Sequence, residues 1–175
     1  MQIPIRYGYF ILFILALAFA SPQNAKAQAS SYEELQAAYI YNFAKYIRWP
    51  EEQPTFVIGI VGDNEGILTV LTNVLKSKKI GGKPVEVGNV DKTDTLTQYH
   101  ILYIPHTESK KVEGITQSLQ GKSVLVVTER DMIKKGASIS FTVIDNKLRF
   151  KLNREVLQNA RLIASEGLIK LAIVE

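Results

Sequence analysis

At 175 residues, with 46% apolar and 22% charged side chains, the chain has the stock of one globular domain and cannot be a disordered or collagen-like polymer. Its composition also excludes a multi-pass membrane protein, and the formal charge of +4 raises the question of a nucleic-acid partner. The absence of cysteine removes disulfides, thiolate nucleophiles and cysteine-held zinc together.

The N-terminus reads as a secretory signal peptide over residues 1–27. Arg6 supplies a positive n-region, and Tyr9–Ala20 is an uncharged apolar run, too short to span a bilayer comfortably. Ala25-Lys26-Ala27 offers an A-x-A cleavage site, with Ala18-Phe19-Ala20 as the second choice. No cysteine follows, so a lipoprotein anchor is excluded. Arg6 and Lys26 leave with this segment, and the mature domain, residues 28–175, keeps a charge of about +2. That is no footprint for nucleic acid, and export argues the same way.

In the mature chain, Ser31-Tyr32-Glu33-Glu34 has the pattern of a capping box and predicts a helix to about Arg48. Its expected buried stripe is Leu35, Ala38, Tyr39, Asn42, Phe43, Tyr46 and Ile47. Trp49-Pro50 should stop it, because the residue before proline disfavours the helical region. Apolar runs then alternate with helical patterns. Strands are predicted at Phe56–Val61, Val85–Val90, Ile101–Ile104 and Ser123–Val127. Between them fall helices ending near Ser77, spanning about Ser109–Leu119, and near Arg130–Lys135.

Unbroken apolar strands are buried on both faces, and strands alternating with helices imply parallel crossovers. The chain then changes character. Ser138–Ile144 and Lys147–Leu152 flank Asp145-Asn146, a two-residue turn suited to positive φ, so they predict an antiparallel hairpin. Asn153 should cap a helix through Ala160, and Ser165–Val174 should form the last one. The fold class is α/β: a three-layer α/β/α sandwich with a mixed, mostly parallel sheet and a C-terminal antiparallel hairpin.

Candidate sites are few. Gly62, Asp63 and Asn64 lie in the loop where an open α/β sheet would bind a ligand, and His106 could reach the same end of the sheet. The loop has neither the phosphate-loop nor the dinucleotide fingerprint, and Asp63 and Glu65 would repel anions. A tight turn in which Asp63 or Asn64 caps the next helix competes with the binding reading. His100 and His106 stand at opposite ends of one strand, without carboxylates at ligand spacing, so no metal is expected.

Glu33/Glu34 and Glu51/Glu52 show no contrast of environment that would tune an acid and a base, and no G-x-S-x-G is present. No enzyme and no cofactor are expected. Six of the eleven mature-chain aromatics fall within residues 32–49, more than one helical face can bury. Tyr41 and Trp49 lie off the expected stripe and are the candidate partner-binding residues, since Tyr and Trp are favoured at interface hot spots.

The same helix resembles the N-terminal signature of YfiR-like periplasmic regulators, a domain family of largely unknown function, in Ala38-Tyr39-Ile40-Tyr41-Asn42-Phe43-Ala44-Lys45-Tyr46-Ile47-Arg48-Trp49-Pro50. Gly59–Asp63, Ile80–Val85, His100–Ile104 and Ile139–Asn153 are similar to further family segments in the same order. The resemblance spans about residues 35–174. It implies a non-enzymatic periplasmic repressor, acting as a dimer. Its partner would be the periplasmic domain of an inner-membrane sensor, a diguanylate cyclase or a histidine kinase, with control of cyclic-di-GMP and biofilm formation.

Two departures stand out. Tyr99-His100 occupies a strand start where relatives commonly carry cysteine, so a thiol switch is excluded. Ser165-Glu166-Gly167-Leu168 replaces a pattern with a cation in it. The alternative is a periplasmic small-ligand-binding receptor using Gly62, Asp63, Asn64 and His106.

Overall fold

The computed structural model describes residues 23–50, 53–90 and 95–175. The apolar run Tyr9–Ala20 and the Glu51/Glu52 pair lie outside the described residues. The first helix, α1 (Gln23–Tyr46), is free of glycine and proline throughout. It begins upstream of Ser31, so the predicted capping box lies inside the helix rather than at its start. It also ends two residues earlier than Arg48, because Ile47–Arg48 leaves it as a short strand, β1.

From Glu33 onward the chain forms one compact unit. There α1 buries Gln36, Ala37, Ile40, Phe43 and Ala44, followed by Ile47, at helical spacing. The predicted stripe was rotated: Leu35, Ala38, Asn42 and Tyr46 are exposed, while Phe43 and Ile47 are buried. Tyr39 is half-buried. What fixes the buried face is the hairpin below it. Phe43 meets Phe150 edge-on at a centroid distance of 5.0 Å and lies 5.9 Å from Phe141. Tyr39 joins the same cluster and donates its hydroxyl to Leu148 O at 3.2 Å.

The sheet is built around β2 (Phe56–Val61), which pairs in parallel with β4 (Lys83–Val90) on one side and β5 (Ile101–Ile104) on the other. The parallel run continues through β6 (Leu125–Thr128) to β7 (Ile139–Ile144). β7 turns back antiparallel into β8 (Lys147–Leu152) through Asp145 and Asn146, at φ 49° and 57°, as the dipeptide predicted. Antiparallel β3 (Lys79–Ile80) closes one edge of the eight-stranded sheet, and parallel β10 (Ile173–Val174) closes the other. β1 pairs separately and antiparallel with β9 (Ile163–Ala164).

β5 and β6 are buried along their whole length, which is why they read as uninterrupted apolar runs. Their alternate side chains serve two cores. Leu102, Ile104 and Val126 pack with Val112 and Leu119 of the helix α3 (Val112–Ser118) and its C-terminal cap. On the other face, the Tyr103 hydroxyl donates to Gln36 Oε1 of α1 at 3.2 Å. Helix α2 (Glu65–Leu75) buries Ile67, Leu71 and Leu75, one residue per turn. The result is the predicted sandwich: α/β, with five α-helices among the described residues and a mixed, mostly parallel sheet.

Two predicted helices are shorter than expected. The segment from His106 to Lys111 is a 3-10 turn leading into α3, and Ile133–Lys135 is another. The last predicted helix divides into α5 (Glu166–Leu171), capped by Ser165, and the strand β10. Asn153 caps α4 (Arg154–Asn159) as expected, its Oδ1 accepting from Val156 N–H at 3.0 Å. Asn153→Ala should cost about 1 kcal/mol, measurable by urea denaturation, because that N–H would lose its partner. An unchanged midpoint would show that the cap contributes nothing.

Candidate functional site

The strand order places β4 and β5 on opposite sides of β2, so the crossovers leaving β2 and entering β5 diverge there. This is a topological switch point, the usual ligand crevice of an open α/β sheet. The structure brings the predicted residues to it. Gly62 (φ 81°) and Asp63 follow β2, Asn64 caps α2, and His106 follows β5. Asn64 Oδ1 accepts from Ile67 N–H at 3.3 Å, so the capping role is its structural one.

The crevice is acidic, and most of its carboxylates come from segments that sequence reasoning did not connect. The Glu108 side chain lies over Gly62, 2.6 Å from where a Cβ would stand, and the positive φ of 81° there favours glycine. The Glu33 carboxylate of α1 crowds Gly66 at the start of α2 in the same way, 2.5 Å from that residue's missing Cβ. An acid at a helix N-terminus is favourably placed. Glu129, after β6, accepts from the His106 backbone N–H at 2.7 Å and pairs with His106 Nδ1 at 3.1 Å. Burial, and then the nearby charge of Glu129, raise the Glu33 carboxyl above its ordinary range. Such a crevice would favour a cation over a phosphate. No group of His, Asp and Glu suited to a metal ion occurs among the described residues.

The second candidate surface is the outer side of α1. Tyr41 is half-buried, with Lys45 Nζ 5.6 Å and Lys78 Nζ 5.8 Å from its ring centre. Lys45 also stands 5.2 Å from the ring of Tyr46, which is 46% exposed. Two tyrosines and two lysines therefore share one aromatic, cationic face, at distances where ring and cation attract. Trp49 borders it: with Lys45, Arg48 and Lys83 it lines an open cleft of about 320 Å³.

Trp49 is also tied inward. Its indole meets Phe56 edge-on at 5.0 Å and donates to His100 O at 3.2 Å. His100 is the buried histidine, stacked on Phe56 at 4.4 Å, with Nδ1 accepting from Val57 N–H at 3.1 Å. His106 is the exposed one.

Among the described residues, no helix is long and apolar enough to cross a membrane. The sequence matches the YfiR/HmsC-like family over residues 33–173, nearly the whole compact unit from Glu33 to Glu175. The aromatic stretch Tyr39–Trp49, the glycine turn after β2 and the closing hairpin all fall inside that match, and the chain belongs to the YfiR/HmsC-like family.

Proposed function

We propose that the protein is a non-enzymatic periplasmic regulator that binds and represses a membrane-bound signalling protein, most simply a sensor diguanylate cyclase, and so restrains cyclic-di-GMP synthesis and biofilm formation. A sensor histidine kinase is the other member of that partner class. Residues 1–27 direct export and are removed, and residues 28–175 act as one domain, alone or as a homodimer. Family membership supports the regulatory role. The observation that carries the binding surface is the face formed by Tyr41, Tyr46, Lys45 and Lys78, bordered by Trp49.

Repression follows from differential affinity: the domain holds the inactive sensor conformation more tightly than the active one. Moving a sensor from 1:99 to 99:1 takes about 5.5 kcal/mol of preference, within the range of a few aromatic hot spots. The test is titration of the partner's purified periplasmic domain, alongside cyclase activity in membranes. Tyr41→Ala should weaken binding by tenfold or more and relieve inhibition, with an unchanged melting temperature. Trp49→Ala is a poorer probe, because losing its contacts with Phe56 and His100 should lower stability as well. Full inhibition by Tyr41→Ala would move the interface elsewhere.

A second reading, a small-ligand receptor at the crevice of Gly62, Asp63, Asn64 and His106, is favoured by one observation: the carboxylates Glu33 and Glu129 gathered there suit an amine. A thermal shift with amines that disappears in His106→Ala would support it, and no shift with any amine would reject it.

A further inference from the structure

We infer that the small cavity behind Trp49 is an oxyanion site, which takes the carboxylate or phosphate group of a small solute. The cavity is about 110 Å³ and is lined by Trp49, Tyr99, His100, Lys122, Ser123 and Arg161, among others. That volume holds roughly three or four waters, or one anionic head group with the remainder of the solute projecting outward.

The donor set is the first observation. Lys122 and Arg161 bring positive charge, and none of the described lining residues is acidic. Ser123 Oγ is buried and meets no hydrogen-bond partner among the described residues, so its hydroxyl is uncommitted. His100 uses Nδ1 to accept from Val57 N–H, so its neutral ring carries the proton on Nε2 and keeps a donor. The Trp49 N–H is already engaged by His100 O, which leaves the indole as an apolar wall.

The second observation is independent and lies in the backbone. Arg161 has φ 58°, at the position just past α4 where helices usually place glycine. The surrounding hydrogen bonds are those of a left-handed helix end: Arg161 N–H to Gln158 O at 2.9 Å, and Leu162 N–H to Leu157 O at 2.9 Å. Glycine would satisfy this geometry without strain, and Arg161 holds it at a cost in backbone strain while its exposed side chain reaches the cavity mouth. Among the described residues its guanidinium makes one long hydrogen bond, 3.5 Å to Gly121 O. It is held beside the cavity with donors to offer, and guanidinium is the group best shaped for a carboxylate or a phosphate.

The test is calorimetric and thermal-shift titration of the full chain with inorganic phosphate and, separately, acetate, against chloride at equal ionic strength. Saturable binding of one of them is expected, and the anion that saturates identifies the head group. Arg161→Gly should raise the melting temperature of the anion-free protein by a few degrees, because the turn relaxes. The same variant should weaken anion binding tenfold or more. Lys122→Ala should weaken binding severalfold with little change in melting temperature. No saturation beyond the chloride control would overturn the assignment, and so would Arg161→Gly binding as tightly as the native chain. Binding of the partner's periplasmic domain is measured separately, so failure of either proposal leaves the other standing.

Discussion

Replacing Phe43 by alanine is expected to destabilise the protein by about 3–5 kcal/mol, the range for deleting a large ring from a packed core. Phe43 is fully buried and sits where α1 meets β7 and β8, within 6.0 Å of the rings of Tyr39, Phe141 and Phe150. Neighbours anchored on two hairpin strands cannot collapse far into the space it leaves, so most of the cavity cost should persist. Tyr46→Ala, on the same helix but exposed, should change stability by no more than about 0.5 kcal/mol. Urea denaturation of both variants measures the difference. Equal effects would mean that the helix is seated on another face.

That pair of residues marks where sequence reading succeeds and where it stops. Phe56–Val61 and Ile101–Ile104 were legible to the residue because strands covered on both faces leave unbroken apolar runs. The hairpin was legible because Asp145-Asn146 is a turn with its own local chemistry. Helix α1 was legible as a helix but not in its rotation. Aromatics at 39, 41, 43 and 46 permit two stripes a fraction of a turn apart, and the choice is made by Phe141 and Phe150, about a hundred residues downstream. β1, β9 and β10 have two residues each, too few to carry a period: β1 and β9 exist only by pairing with each other across the chain, and β10 by adding to the open edge of β8.

The candidate site divides the same way. The glycine turn and His106 could be placed at one end of the sheet from strand order alone. The carboxylates around them come from α1, the segment after β5 and the end of β6, with no spacing to connect them. Arg161 carries a signal only once its backbone angle is known, since an arginine after a helix is otherwise unremarked.

Acid should weaken the protein through His100 before most of its carboxylates protonate. Burial, and then the nearby charge of Lys83, hold the His100 ring at a pKa of about 4, below the ordinary value of 6.5. The hydrogen bond explains why the neutral form suits the fold. Nδ1 must accept from Val57 N–H, and a proton placed there would set donor against donor. The unfolded chain therefore takes up a proton near pH 6.5, while the folded chain resists until about pH 4. The contribution is fully present above pH 6.5 and falls away as pH drops through that window. Its ceiling, for one proton and no screening by solvent, is about 3–3.5 kcal/mol. His100→Asn supplies an amide oxygen that can accept the same N–H without titrating. Its denaturation free energy should start lower, since the stacking on Phe56 is lost, but should be flatter than the native curve between pH 6.5 and 4. Parallel curves for the two proteins would show that His100 does not drive the loss, whereas convergence toward pH 4 would assign it to this buried ring.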